Sequence, residues 1–289
     1  MMQLRPWLVV VVSLACPTLA VGGGDRACIL SDQFDKRLRP AVVAAVAELG
    51  EAAQRIDLVD MANLQGCPVV VAIGSKAVAV AEGRRDTLPM VSALASVASD
   101  NKHFAIINRP DPRRVADTLM TLAPAVRRVG TVYDPEHTGA LVEEGRAAFR
   151  AHGVELVAVA AKDTSAAVRA FHRFTSEVAV DALWILPDRT TTTRETAYQA
   201  LELAAWRRIP AVGPSRWYVA SGALFALQVD GAAHGVLAAQ TAQQIMAGSV
   251  PRRRQYASRD ALIVSARTAE RLGLTLSPAV RARAAEVIE

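Results

Sequence analysis

Short β-branched apolar runs alternate with Ala-rich amphipathic stretches along most of this 289-residue chain. That alternation narrows the choice of folds more than any other feature. A short, continuously apolar run fits a strand buried on both faces, and a helix-length stretch after it returns the chain to the same end of the sheet. Strand, helix and strand then close right-handed into a parallel βαβ unit. The spacing predicts strands over 27–31, 69–73, 90–95, 128–133, 155–160, 182–186, 211–212 and 223–227. Helices are expected over 39–49, 111–122, 138–152, 166–175, 194–206 and 232–246, with one more opened by Gly74-Ser75. Punctuation agrees: Pro40 and Pro112 fall in first turns, while Gly50 and Gly153 follow helix ends. The fold class is α/β, and two such sets of units in tandem make two Rossmann-like lobes with parallel sheets.

Composition supports the same layers. Hydrophobic residues make up 52% of the chain and aromatics only 5%, so Val and Ala carry most of the apolar mass. The net charge is +5, and apart from Arg252-Arg253-Arg254 the arginines are dispersed. A solvated basic surface explains this balance, and no nucleic-acid partner is expected.

The first residues read as an address. Arg5 supplies a positive start, 7–15 is an apolar run, Pro17 breaks it, and Thr18-Leu19-Ala20 offers small residues at a cleavage site. Residues 1–20 are therefore expected to be a secretory signal peptide, too short to span a bilayer, which places the mature protein in the periplasm. Ser13-Leu14-Ala15-Cys16 loosely resembles a lipobox, but Ser13 stands where Leu is preferred, so a lipid anchor at Cys16 ranks second. Cleavage after Ala20 leaves Cys28 and Cys67, an even pair in an oxidising compartment. One disulfide is expected, worth about 3–4 kcal/mol on loop-closure entropy. Two buried free thiols are the alternative.

Ligands in open α/β sheets bind outside the carboxyl ends of the strands. That rule singles out Ser31 and Asp32, Gly74 and Ser75, Ala93, Tyr133 and Thr138, Asp188 and Thr190, Ser215 and Arg216, and Asp230. Gly74-Ser75 leads from a strand into a helix whose amide end suits an anion, with Ser75 either capping the helix or donating to a ligand. Asp188 suits an amine or hydroxyl, Arg216 an anion, and Tyr133 a cleft wall. Asp134 and Thr138 can equally be turn and capping residues. Thr192-Thr193-Arg194-Glu195 fits a capping box. Catalytic signals are weak. The five histidines lack metal-ligand spacing, there is no G-x-S-x-G elbow, and no nucleophile and base pair stands out. No catalytic residue, metal or cofactor is expected.

The residues from Val129 onward resemble the periplasmic substrate-binding proteins of ABC transporters, of the tryptophan/tyrosine type. The features that match are Val129-Gly130-Thr131-Val132-Tyr133-Asp134-Pro135, Leu186-Pro187-Asp188 and Ser221-Gly222-Ala223-Leu224. The closing stretch is the most specific, with 262–275 (from Leu262-Ile263-Val264-Ser265 to Leu274-Thr275) followed by 283–289. The resemblance implies a type I periplasmic binding protein fold in which the chain crosses between the lobes near Asn108, Val229 and Tyr256. Lobe 1 then comprises 25–107 plus 229–255, and lobe 2 comprises 108–228 plus 256–289. It implies an ABC permease as partner and a small ligand, either amino-acid-like or a small neutral or anionic molecule. Two departures stand out. Residues 57–67 leave no room for a second crossover helix, so the first lobe is expected to be shortened. Ser215-Arg216-Trp217 also lacks the acid that holds a ligand's amino group in the family. An exported sensory or scaffold protein on the same fold is the second reading.

Overall fold

Strand and helix follow each other because every apolar run must be covered on both faces. The computed structural model describes residues 26–58, 64, 66–83, 88–95, 103–188 and 193–289. The chain first lays down β1 (Ala27–Ser31), α1 (Arg39–Leu49), β2 (Ala53–Asp57), β3 (Val70–Ile73), α2 (Ser75–Glu82), β4 (Met90–Ala93) and β5 (Phe104–Ile106). It then crosses into a second layer, α3 (Pro112–Leu122), β6 (Arg128–Tyr133), α4 (Pro135–Arg150), β7 (Glu155–Ala160), α5 (Thr164–Ser176) and β8 (Ala182–Trp184). The same layer continues with α6 (Arg194–Arg207), β9 (Ala211–Gly213), α7 (Arg216–Ala220) and β10 (Phe225–Val229). A second crossing returns it to α8 (Gly231–Met246) and β11 (Arg254–Gln255). A third leads to β12 (Asp260–Ser265), α9 (Ala266–Arg271), α10 (Pro278–Arg283) and β13 (Glu286–Ile288).

Two sheets result. The first has the order β11-β5-β4-β3-β1-β2, and every pair in it is parallel. The second has the order β13-β12-β10-β9-β8-β6-β7. It is parallel except where β12 runs antiparallel to β10, which differs from the all-parallel expectation. The reason is topological. β12 enters from the other layer and not through a helix lying on its own sheet, so the βαβ constraint on direction does not act on it.

The core explains why Ala-rich helices suffice. α1 and α8 pack together over one face of the first sheet, with Ala41, Val42, Ala45, Ala238, Ala239 and Ala242 against Ile29, Val71, Ile73 and Val91. Their approach is so close that a Cβ on Gly235 would lie 2.0 Å from the Ala41 carbonyl oxygen. Cys28, joined to Cys67 as a disulfide with a Cα–Cα distance of 5.8 Å, belongs to the core on the opposite face. The second sheet is covered on both faces as well, and there Phe149 meets Trp184 edge-on at 5.6 Å.

Several boundaries move for local reasons. The strand expected over 90–95 stops at Ala93 because Leu94 takes φ +52°. The strand expected over 223–227 runs instead from Phe225 to Val229. The helix expected over 138–152 starts at Pro135, capped by Asp134, whose side chain accepts from the Glu136 amide at 2.9 Å. The cap of α6 is Thr193, accepting from Thr196 N, so the box closes on Thr196 and not on Glu195. The segment 1–20 with Cys16, and most of the connection on which the shortened first lobe was expected, lie outside the described residues.

Candidate ligand-binding cleft

The carboxyl ends of β1, β3 and β4 face those of β8, β9 and β10 across two adjoining cavities. These cavities share Asn108 and Val229, residues beside the first and second crossings. The crevice is thus formed where the polypeptide passes between its two sheets.

The cavity on the first-sheet side is about 610 Å³ and open, lined by the β1–α1 and β3–α2 turns. Its charges come in matched pairs. Lys76 Nζ donates to Asp32 Oδ2 at 2.8 Å, and Arg37 donates to Asp35 through Nε at 2.9 Å and Nη2 at 2.7 Å. The bond from Lys76 holds the Asp32 carboxyl below its ordinary range, and Arg37 lowers that of Asp35 to about 2. Gly74, with φ +93°, occupies the N-cap position of α2, and a Cβ there would lie 2.6 Å from Leu38 Cδ1. The positive φ is what calls for glycine, and the Leu38 side chain would have to shift to admit a Cβ. No side chain caps α2, so Ser75 does not play the capping role considered above, and the amide end of the helix is left to the cavity.

The second cavity, about 200 Å³, is walled by apolar residues from three strand ends and two helices. Val115, Leu141, Trp184, Ile185, Val212 and Leu227 supply the wall, and Asn108, Arg109 and Gln228 supply polar groups. Arg109 is anchored from behind. Its Nη2 donates to Glu144 Oε1 at 2.9 Å, and its guanidinium lies 5.7 Å from the centre of the Tyr256 ring. The Tyr256 hydroxyl donates to the other Glu144 oxygen, and burial, followed by that contact, pushes the phenol's pKa up. Glu144 of α4 therefore ties the first crossing to the third.

Ion pairs brace the remaining crossings. Asp230 caps α8 by accepting from Ala233 N at 3.0 Å and meets Arg259 Nε at 2.6 Å. Arg114 Nε donates to Asp260 Oδ2 at 2.6 Å, yet burial outweighs this partner and raises the Asp260 pKa. Removing one partner of the buried Arg114–Asp260 pair would leave an uncompensated charge, whereas the Arg259 side chain is largely exposed and its pair contributes little to stability.

Of the residues singled out from the sequence, Asp32, Gly74 and Ser75 line the crevice. Ser31 and Ala93 are buried at the ends of β1 and β4, where the Ala93 carbonyl accepts from Gly74 N at 2.8 Å. Neither cavity is lined by Tyr133, Thr138, Asp188, Ser215, Arg216 or Asp230. Asp188 is only 2% exposed, and it accepts from Asp134 N at 2.9 Å and from the Thr138 hydroxyl. It locks the turns after β6 and β8 to each other. Arg216 forks onto Glu286 of β13 at 2.6–3.0 Å, which directs its charge to the C-terminal strand. Tyr133 is half-buried against the second-sheet core, and Ser215 precedes α7 with its side chain uncommitted to the cap. Thr190 lies outside the described residues. Sequence reasoning missed Arg37, Lys76, Arg109, Trp184 and Gln228, which line the crevice. The strand-end rule reaches Gln228 once β10 is placed at Phe225–Val229.

Two lobes of mixed strand and helix, joined by three crossings around a crevice, define the architecture of a type I periplasmic binding protein. Residues 44–288 match the ABC transporter substrate binding protein model, and the chain belongs to that family. Among curated proteins, no relative matches it. The fold is shared with the ABC domain in complex with L-Trp from Streptococcus pneumonia, at 18% identity and a TM-score of 0.55, covering 92% of this chain and 100% of that one. It is shared with the ligand-free, open form of a substrate-binding protein with adhesive properties from Clostridium difficile, at 13% identity and a TM-score of 0.67, covering 92% and 99%. It is shared also with a periplasmic ribose ABC transporter protein from Conexibacter woesei, at 15% identity and a TM-score of 0.53, covering 84% and 93%. At these identities the likeness is one of fold.

Proposed function

We propose that this protein is an exported solute-binding protein that captures a small ligand between its lobes and delivers it to an ABC-type importer. In this reading residues 1–20 are a signal peptide and the mature chain works in the periplasm. Lobe 1 is 25–107 plus 229–255, lobe 2 is 108–228 plus 256–289, and closure occurs about the three crossings. The observation that carries the proposal is the meeting of strand ends from both sheets at Asn108 and Val229, with cavity on either side. Family membership supports a small-molecule ligand and a permease partner. Among the described residues, no helix is long and apolar enough to cross a membrane.

A thermal-shift screen of residues 21–289 against amino acids, carboxylic acids and sugars tests it. A ligand present at a hundred times its Kd stabilises the native state by about 2.7 kcal/mol, enough to move Tm visibly. The proposal expects at least one class to do so. A flat response across all classes contradicts it.

A further inference from the structure

We infer that the crevice is built for an apolar carboxylate that carries no amino group, with Arg109 as the residue that receives the carboxylate. The inference rests on the solute-capture reading and narrows its ligand. The smaller cavity is where specificity is set, because its walls are closely packed strand ends and its hydrogen-bonding side chains are few. Among the described residues lining it there is no carboxylate. Glu144, the acid just behind, has one oxygen on Arg109 and the other on the Tyr256 hydroxyl. A ligand ammonium entering this space loses its water and meets no free counter-charge, which is unfavourable.

The donors point the other way. Arg109 lines the cavity, and among the described residues its Nε, buried from water, has no hydrogen-bond partner. Its side chain is partly exposed where it lines the cavity, so an entering carboxylate meets the planar fork there. Stacking on Tyr256 and the bond to Glu144 hold that fork in place, so little side-chain freedom is lost on binding. Asn108 and Gln228 add amide donors beside it. The apolar wall from Val115, Leu141, Ile185, Val212 and Leu227 receives the hydrocarbon end. Lys76 and Arg37 are each paired with an aspartate, as Arg109 is with Glu144, but of the three only Arg109 lines the apolar cavity.

Matched ligands test this. Calorimetric titration of residues 21–289 with 4-methylpentanoate and 3-phenylpropanoate is set against their amides, the amines 4-methylpentylamine and 3-phenylpropylamine, L-leucine and L-phenylalanine. The carboxylates should bind at least about tenfold more tightly than the amides, and the amines and amino acids more weakly than either. Arg109→Gln should abolish the preference of carboxylate over amide while amide affinity persists. Since that change leaves Glu144 without one partner, Arg109→Gln combined with Glu144→Gln provides a charge-neutral version expected to behave the same way. Arg109→Lys should keep the order at reduced affinity. Tighter binding of an amine or amino acid overturns the inference, as does a preference that survives Arg109→Gln. If the matched set fails but another solute class binds, the inference falls and solute capture stands. If nothing binds, both fall.

Discussion

His234 is 1% exposed on α8, and neither of its ring nitrogens has a hydrogen-bond partner among the described residues. Asp230, one turn earlier on its own element, and Arg114 of α3, from the other layer, are the charged groups that act on it. Burial dominates and lowers its pKa to about 4, against an ordinary value of 6.5. Below pH 6.5 the unfolded chain takes up a proton that the folded chain refuses. Stability is therefore full above about pH 6.5 and declines as pH falls toward 4, by up to about 3 kcal/mol. Urea unfolding between pH 4 and 7 should show this slope, and His234→Leu should flatten it. An unchanged slope in the variant shows that other groups carry the effect. At this scale the sequence exposes what is local. Asp134 sits one residue before Pro135, so its cap could be anticipated. Asp188 could not be placed, because its partners Asp134 and Thr138 lie 54 and 50 residues away. A strand-end acid looks the same on the page whether it faces a ligand or a neighbouring turn.

Among the elements, the disulfide makes the clearest prediction. It fastens β1 to the turn before β3 across a separation of 39 residues. Replacing both cysteines with serine should cost about 3–4 kcal/mol in chemical denaturation, by freeing a long loop in the unfolded chain. A loss below about 1 kcal/mol would show that the unfolded chain is not constrained by it. Elements were legible where a run of apolar residues met helix punctuation, as in β1, β3, β6, β7, α1 and α8. β2 was missed because Ala53–Asp57 is a sheet edge with a mostly polar, partly exposed pattern. β11 has two residues, and its place beside β5 comes from the second crossing and not from its own composition. β12 was quoted only as part of a resemblance, and its antiparallel course depends on entry from the other layer.

For the molecule as a whole, the βαβ alternation sufficed to predict two layers and a crevice between strand ends. It did not reveal which side chains line that crevice. Asn108 and Arg109 lie at the first crossing, where the chain belongs to neither periodic pattern, and Gln228 was lost because the strand was expected to end at 227. Arg109 is braced by Glu144 and Tyr256, which only the folded chain brings together. The ion pairs Arg114–Asp260 and Arg259–Asp230 hold the same region, so the closure proposed above would be absorbed by the short segments between them. Small-angle X-ray scattering of residues 21–289, with and without a saturating amount of the strongest ligand from the thermal screen, tests the central claim most directly. Closure of the lobes on that ligand predicts a smaller radius of gyration in the bound state. The same radius with and without ligand at saturation contradicts it.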